Sequence, residues 1–212
     1  MSDGKHRSFA REFLREEAAS VSSLPDLLDE EFEKACELIL GCTGRVIWMG
    51  VGQSWHVARK SSCSMASLGR PAFFMHATEA VHGDMGLVTS EDVVILISHS
   101  GRTKELLATL EPLDLIGARR IGILGNPASP LGESCEIVLG TGVKEEAGPF
   151  KFAPSSSALA TTALADALVM SVAEALGFSE ADYARYHPGG AAGEDLAKHR
   201  TDKKGDGAPG RH

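Results

Sequence analysis

The sequence predicts an α/β fold, a three-layer sandwich in which helices cover both faces of a five-stranded, mostly parallel sheet. Short β-branched and aliphatic runs without polar alternation recur along the chain, which is typical of strands buried on both faces. Segments with helical spacing of apolar residues separate these runs, as in right-handed βαβ units. With the flavodoxin-like strand order 2-1-3-4-5, the loops after strands one and three meet at a switch point, where ligands bind.

The predicted elements follow in order along the chain. Residues 1–44 are expected to form two helices, divided at Pro25. These helices are expected to pack on a single domain formed by residues 45–200. Strands are predicted at 46–49, 72–75, 93–97, 120–124 and 136–139. Further helices are predicted from just after Ser54 to about 68, from 103 onward, at 158–176 and at 178–186. A disordered tail is expected over 201–212, where Asp, Lys, Gly and Pro dominate.

The composition limits the possible partners. The chain has 212 residues, 43% of them hydrophobic, and a net charge of −8. That apolar content suffices for one sizeable core. An acidic chain without a basic stripe argues against nucleic acid as a partner. A small anion is still a possible ligand, because backbone amides can hold it locally.

The cysteines and the hydropathy pattern indicate the compartment. The sequence has no C-x-x-C pair, so we expect buried free thiols in a reducing cytoplasm. No signal peptide or long apolar span is evident, so we expect a cytoplasmic protein with no membrane partner. The four cysteines are Cys36, Cys42, Cys63 and Cys135.

The most informative stretch follows the third predicted strand. It reads Ser98-His99-Ser100-Gly101-Arg102-Thr103-Lys104-Glu105 and places three hydroxyl side chains and a glycine between a strand and a helix. Amides at a helix N-terminus and the helix dipole favour an anion there, and hydroxyls suit phosphate oxygens. The alternative is an ordinary helix cap. One hydroxyl is enough for a cap, so three favour a phosphate site.

A glycine pair follows the first predicted strand, in Gly50-Val51-Gly52-Gln53-Ser54. Dinucleotide-binding loops share this arrangement, but Trp55 stands where their third glycine lies. Close approach of the backbone to a substrate explains the glycines better. Ser54 has two interpretations, contact with a sugar hydroxyl or phosphate and a simple helix cap.

The connection at 140–154 is long for this fold and rich in Gly, Pro and charge, which is typical of functional loops. It contains Glu145 and Glu146 and leads into Ser155-Ser156-Ser157 at the start of a long helix. Either the serines complete a phosphate cradle, or they cap the helix while both glutamates are solvated.

The loop at 76–84 contains two histidines, a glutamate and an aspartate. His82 and Asp84 are of the residue types that bind metals. Nothing in the sequence fixes a tetrahedral ligand set, so we expect solvated side chains rather than a metal site.

Together these segments resemble the sugar isomerase (SIS) domain family, and within it the arabinose 5-phosphate isomerases. The family's phosphosugar loop has the pattern Ser-x-Ser-Gly-x-Thr-x-Glu after a buried strand. The supporting segments occur in the family's order at 49–54, 76–84, 98–105, 144–147, 153–157 and 187–190. The resemblance implies an aldose–ketose isomerase of a phosphorylated sugar, arabinose 5-phosphate/ribulose 5-phosphate or a close relative, that works through an enediolate.

The resemblance also implies roles for individual residues. Glu146 is the expected base, because burial can raise the pKa of a carboxyl toward neutrality. His187 is expected to assist ring opening, in its own site or in that of a neighbouring subunit. Glu105 is expected to orient a sugar hydroxyl or to share the acid–base work, and His82 to lie near the sugar. A homotetramer without a metal or other cofactor is implied. The expected substrate and phosphate contacts are Gly52, Gln53, Ser54, Ser98, Ser100, Thr103, Ser155, Ser156 and Ser157.

Three residues depart from the family pattern. Gln53 stands where the arabinose 5-phosphate isomerases have a lysine, so this position donates hydrogen bonds without a charge. His99 and Arg102 also differ, and Arg102 is a candidate for supplying the missing positive charge. Many resembling isomerases carry a pair of CBS modules after this domain, and we expect the SIS domain here without them.

Two rival interpretations stay open. A non-catalytic phosphosugar sensor would keep the hydroxyl loops and lose the acid–base residues. Glu105, Glu146 and His187 are all present, which favours the enzyme. The other rival is a metal-dependent isomerase, which chelation would inactivate.

Overall fold

A computed structural model describes residues 4–189. Its five strands form one sheet with the order β2-β1-β3-β4-β5, and every neighbouring pair is parallel. The predicted fold class and strand order are therefore confirmed. The strands are β1 (Val46–Gly50), β2 (Ala72–His76), β3 (Val93–Ser98), β4 (Arg119–Leu124) and β5 (Ile137–Gly140).

The helices alternate with these strands. Short 3₁₀ turns span Leu24–Leu27 and Asp84–Leu87. The end of the predicted domain, 190–200, and the predicted tail, 201–212, lie outside the described residues. The helices are α1 (Lys5–Ser22), α2 (Glu30–Gly41), α3 (Gln53–Ser67), α4 (Ala77–Ala80), α5 (Lys104–Leu107), α6 (Leu110–Ile116), α7 (Pro130–Glu133), α8 (Ser156–Ala175) and α9 (Glu180–Tyr186).

Side chains of the sheet are buried on both faces. Trp48 and Ile95 pack in one cluster with apolar residues of α2, α3 and α8. Ile47 and Val94, their neighbours along the strands, pack in a second cluster with α4, α5, α6 and α7. Because successive side chains of a strand point to opposite faces, the apolar runs cover both sides. The result is the expected three-layer sandwich.

The N-terminal helices lie against the α8 layer. Asp29 caps α2, since its carboxylate accepts a hydrogen bond from the backbone N–H of Glu31 at 2.9 Å. Helix α2 contacts α8 and β5. Helix α1 also contacts α8, but it buries none of its own residues. It therefore lies on the outside of this layer.

The helix expected from Thr103 onward is broken into α5 and α6. Pro112 has no N–H, so it cannot make the i→i−4 bond to Ala108. Thr109 instead donates from both its N–H and its hydroxyl to the carbonyl of Leu106, at 3.0 and 2.7 Å. Helix α5 is therefore one turn long, and its dipole contributes less to an anion site than we expected.

Helix α8 is the apolar centre of its layer. By length and composition alone it is apolar enough to cross a membrane, but 56% of its most apolar window is buried inside the protein. It packs there against α3 and lies under α1 and α2. A core helix explains its composition.

All four cysteines are free thiols, as predicted. Cys36 and Cys42 are buried, but Cys63 is exposed, so the prediction that all four are buried is wrong. Burial raises the pKa of the Cys36 thiol to about 11 and that of Cys135 to about 11. These two thiols are protonated at neutral pH and correspondingly unreactive.

We expect Leu168→Ala to lower the free energy of unfolding by about 2–5 kcal/mol, because Leu168 is fully buried in α8 and truncation leaves a cavity. Met170→Ala, on the exposed side of the same helix, should change it by less than about 0.5 kcal/mol. Urea unfolding followed by circular dichroism measures both. Equal losses would contradict the placement of α8 in the core.

Candidate functional site

Three segments enclose a cavity of about 240 Å³ at the carboxyl end of the sheet. They are the loop from β1 into α3, the loop after β3, and the start of α8. Because β1 and β3 are neighbours in the sheet but not in the sequence, their loops leave in different directions and open a crevice. The lining residues are Val51, Gln53, Ser54, Val57, Ser98, His99, Ser100, Thr103, Pro154, Ser157, Ala158 and Thr161.

The loop after β3 is fixed by its own hydroxyl groups. The hydroxyl of Ser98, the buried last residue of β3, accepts a hydrogen bond from the N–H of Gly101 at 3.0 Å. It also lies 2.9 Å from the hydroxyl of Thr103. Gly101 has φ +64°, and a Cβ there would meet Ser129. The loop is thus held in one shape before any ligand arrives.

These hydroxyls are not helix caps. Thr103 occupies the N-cap position of α5, but its side chain makes no capping hydrogen bond. Ser100 is exposed, and its hydroxyl accepts from the N–H of Arg102 at 3.2 Å. The alternative of an ordinary cap is therefore wrong for Thr103. All three hydroxyls line the cavity.

Helix α3 begins at the cavity with free amides. A Cβ on Gly50 would lie 2.6 Å from the carbonyl carbon of Ser54, so only glycine lets the helix start this close to the strand. Gly52 takes the N-cap position with φ +60° and offers no side-chain cap. Ser54 lies inside α3 and lines the cavity, so it is not a cap. The first-turn amides of a helix left without a cap suit an anionic oxygen.

The carboxylate of Glu146 sits on the N-terminus of α8. Its Oε2 accepts hydrogen bonds from the backbone N–H groups of Ser155 and Ser157 at 2.9 and 3.0 Å, and from the Ser155 hydroxyl at 3.2 Å. Its Oε1 accepts from the Ser157 hydroxyl. Glu146 is 8% exposed. Ser155 and Ser157 therefore hold Glu146, so this glutamate is not solvated as the helix-cap alternative assumed, and Ser157 also lines the cavity.

The pKa of Glu146 is lowered, which corrects the expectation that burial raises it. Desolvation by burial does raise it, but the hydrogen bonds from Ser157 and Ser155 favour the ionised form and outweigh desolvation. Glu146 is therefore a carboxylate at neutral pH. It touches Ser157, which lines the cavity.

The loop that carries Glu146 is tied down from two sides. Lys151 donates to the carbonyl oxygen of Glu146 at 2.7 Å and pairs with Glu145 at 3.5 Å. The N–H of Gly148 donates to the carboxylate of Glu16 on α1 at 2.8 Å. Helix α1, which buries none of its residues, thus has a role in fixing the loop beside the cavity.

A larger hollow of about 670 Å³ runs along α1, but a single exposed helix supplies its whole lining. It brings no loops or strand ends together. Within residues 4–189, no three His, Cys, Asp or Glu side chains come together in a way that would hold a metal ion. The cavity beside β1 and β3 is therefore the better candidate site.

Residues 39–171 match the family model of the SIS domain. This match covers more than half of the chain. The chain belongs to the SIS domain family. The sequence resemblance is therefore confirmed, and the cavity is lined by Ser98, Ser100 and Thr103 of the loop on which that resemblance depends.

Two curated relatives of this chain are named as arabinose 5-phosphate isomerases. The chain is 44% identical over 180 residues to arabinose 5-phosphate isomerase KdsD of Pseudomonas aeruginosa, which covers 85% of this chain and 55% of the relative. It is 41% identical over 201 residues to arabinose 5-phosphate isomerase GutQ of Escherichia coli K12, which covers 94% and 63%. The chain thus spans somewhat more than half the length of these curated relatives.

A solved structure agrees with the fold. The structure of E. coli CFT073 c3406 in complex with arabinose 5-phosphate has a TM-score of 0.86 and 38% sequence identity to this chain. The likeness covers 89% of this chain and 100% of that chain.

The SIS domain brings only some of the predicted site residues to the cavity. Gln53, Ser54, Ser98, Ser100, Thr103 and Ser157 line it. Gly52 is the N-cap of α3 immediately beside it. Ser155 holds Glu146, and Ser156 is 1% exposed, so neither reaches the cavity.

Five other candidates do not line the cavity, and Glu146 is one of them, although it contacts the lining residue Ser157. Glu105 and Arg102 are exposed on the loop and first turn that follow Ser100, and His82 is exposed in the turn after α4. Arg102 therefore does not supply the cavity with a positive charge in this arrangement. His187 follows α9, where its ring stacks on Tyr183 with the ring centroids 3.8 Å apart.

Sequence reasoning missed several lining residues. Val57 lies one turn after Gln53 on α3, and Thr161 lies one turn after Ser157 on α8. The i, i+4 rule would have placed both on the faces that carry the predicted site residues. Val51, Pro154 and Ala158 lack polar side chains, so no chemical pattern singled them out.

We expect the stability contributed by ionised Glu146 to depend on pH. Because its folded pKa is below the ordinary 4.5, this contribution is complete above that value and is lost as the pH falls through the folded pKa. Glu146→Gln should lower the free energy of unfolding by about 1–3 kcal/mol at neutral pH. Urea unfolding at several pH values should show that the difference in free energy of unfolding between the wild type and Glu146→Gln becomes smaller in acid.

Glu145→Gln is the matched control, since Glu145 is an exposed neighbour on the same loop. Glu145→Gln should change the free energy of unfolding only slightly at every pH. A cost of Glu146→Gln that did not change with pH would contradict the assigned charge state.

Proposed function

We propose that this chain is an aldose–ketose isomerase acting on a phosphorylated sugar, arabinose 5-phosphate/ribulose 5-phosphate or a close relative. The observation that carries the proposal is a cavity lined by loop and helix hydroxyls, with an ionised carboxylate hydrogen-bonded to one of them. The names of relatives at 41–44% identity support the substrate class.

The phosphate is proposed to bind at the loop after β3. Ser98, Ser100 and Thr103 supply hydroxyl donors there, and the Ser98–Thr103 contact prepares their positions. The phosphate end of the sugar then lies at the floor of the crevice. The sugar carbons extend toward α8 and Glu146.

Glu146 is proposed to carry the proton. In the open-chain aldose it removes the proton from C2, which forms the enediolate, and it then returns that proton to C1. A hydroxyl proton moves in the same process from O2 to O1, so the product is the ketose. The hydrogen bonds from Ser155 and Ser157 keep Glu146 ionised, as a base must be before it accepts a proton.

The start of α3 is proposed to stabilise the enediolate. The side chain of Gln53 lines the cavity, and the uncapped first turn of α3 offers backbone amides. Neutral donors fixed in a site before reaction stabilise charge that develops there. Glu105 is proposed to orient a sugar hydroxyl.

A homotetramer is proposed as the working assembly in the cytoplasm. Phe9, Phe150 and Phe152 are 48%, 60% and 84% exposed on α1 and the Glu146 loop, and the rings of Phe150 and Phe152 lie 6.1 Å apart. Contiguous exposed apolar patches mark protein–protein contact sites. His82 and His187 do not line the cavity of their own chain. We propose that His187 assists ring opening in the site of a neighbouring subunit.

Loss of the loop hydroxyls should weaken phosphosugar binding. Ser100→Ala and Thr103→Ala should each reduce affinity for arabinose 5-phosphate about fivefold, since one neutral hydrogen bond is worth about 1 kcal/mol. Calorimetry measures the affinity. Ser67→Ala, at the far end of α3, is the control. Unchanged affinity in both loop variants would remove the phosphate assignment.

Loss of the base should stop turnover and leave binding nearly intact. Glu146→Gln should reduce kcat by about 10²–10⁴-fold, the range for general acid–base catalysis. In deuterated water, the wild type should place deuterium at the carbon that exchanges its proton, and the variant should not.

A coupled assay against a panel of aldose and ketose phosphates identifies the substrate.

The same measurements separate the enzyme from the sensor. A wild-type protein that binds phosphosugars but neither converts them nor exchanges their protons is a sensor. Full activity in Glu146→Gln would leave the isomerase standing and would show that another group is the base.

The assembly is tested by sedimentation equilibrium at micromolar concentration. We expect a tetramer, and we expect Phe152→Asp to shift the protein toward smaller species, because a charge on the contact surface is costly to bury. A monomeric wild type would contradict the homotetramer and the role of His187 across a subunit boundary.

A further inference from the structure

The cavity is almost without charge. Among residues 4–189, no Lys, Arg, Asp or Glu lines it, and the side chains that do are hydroxyl, amide or apolar groups with one exception. That exception is His99, which stands between Ser98 and Ser100 in the loop after β3. Histidine is the side chain whose charge changes most readily near neutral pH. A phosphate bound in this cavity meets one group that can become a cation.

The loop after β4 holds His99 in place. The N–H of Asn126 donates to the carbonyl oxygen of His99 at 3.0 Å, and the N–H of Gly125 donates to that of Ser98 at 3.3 Å. A Cβ on Gly125 would lie 2.1 Å from Nδ1 of His99 and 2.6 Å from its carbonyl oxygen. The absence of a side chain at Gly125 therefore leaves the room in which the imidazole packs.

The ring is open to a ligand. Within the described part of the chain, neither ring nitrogen of His99 has a hydrogen-bond or ion-pair partner. Nδ1 and Cε1 are the ring atoms nearest to Gly125, so Nε2 is the nitrogen farther from that backbone. His99 is an exposed residue of the cavity lining, and an imidazole without an internal partner can donate a proton to an oxygen bound beside it.

Two of the elements around His99 carry charged groups. Arg102 lies on the same loop and is exposed. Across the cavity, Ser157 of α8 holds the ionised Glu146. The loop after β4 and the start of α3 contribute only neutral groups, Gly125 and Asn126 on one side and Gln53 on the other.

We propose that His99 contacts the bound phosphosugar and is protonated when it binds, as the cationic member of an otherwise neutral phosphate site. This inference rests on the proposed function, because it needs a phosphosugar in the cavity. A dianionic phosphate beside an imidazole favours the imidazolium. The resulting N⁺–H···O⁻ bond is stronger than a neutral one. Binding therefore takes up a proton.

The test is calorimetry with arabinose 5-phosphate in buffers of different ionisation enthalpy, which yields the affinity and the number of protons taken up. Above about pH 7 the phosphate itself is mainly dianionic and contributes little to the uptake. We expect proton uptake by the wild type and an affinity that falls by up to about tenfold per pH unit as the pH rises.

His99→Gln keeps a hydrogen-bond donor and removes the charge. It should bind about tenfold more weakly at pH 7, without the uptake seen in the wild type. His6→Gln, exposed on α1, is the matched control and should behave as the wild type. His99→Asn is measured in the same way if His99→Gln does not fold.

Gln53→Lys in the His99→Gln background tests whether a positive charge in the cavity is what strengthens phosphosugar binding. Gln53 lines the same cavity, so a lysine there should restore the affinity without proton uptake. Equal affinity and equal uptake in the wild type and His99→Gln would overturn the role of His99 and leave the phosphosugar site standing. A wild type that binds no phosphosugar would overturn both.

Discussion

The pairing of β1 with β3 is the constraint on which the candidate site depends. Val46 pairs with Val93 and Met49 with Leu96, although the whole of α3 and β2 separates these strands in the sequence. The chain leaves β1 toward one face of the sheet and leaves β3 toward the other, so the two loops diverge. Hydroxyls from one loop and free amides from the other therefore face the same crevice.

Beside the crevice, hydrogen bonds from neutral donors stabilise one buried carboxylate. Glu146 takes four hydrogen bonds from Ser155 and Ser157, which compensate the cost of burying its charge. The helix that follows the loop after β3, α5, has only four residues, so it is too short to supply a strong helix dipole. In the phosphosugar site that we propose, recognition relies on hydroxyls, loop amides and His99 rather than on a strong dipole or a lysine.

Much of the fold could be predicted because it depends on local patterns. The runs that contain Trp48 and Ile95 read as strands buried on both faces, and the βαβ alternation predicted a parallel sheet. The strand order followed from the further assumption of a flavodoxin-like fold. The break between α5 and α6 was missed, although Pro112 was visible, because the apolar leucines continue through it at helical spacing. A periodic pattern does not reveal a missing backbone donor.

The site was less predictable, because its contacts depend on the path of the loops. Ser155 and Ser157 were singled out, but only the tertiary structure brings Glu146 back over the start of α8. Ser54 and Thr103 could be told from helix caps only by their positions and hydrogen bonds in the structure. His99 stood out as a departure, yet its place in the cavity depends on Gly125, which lies on a different strand's loop.

The most direct test of the account is a crystal structure of this protein with arabinose 5-phosphate. We predict phosphate oxygens within about 3.2 Å of the Ser100 and Thr103 hydroxyls, with the His99 ring in contact with the ligand and Glu146 beside the carbons C1 and C2. A phosphate bound instead in the hollow along α1, beside Arg11 and Arg15, or on the α8 N-terminus in place of Glu146 would contradict it.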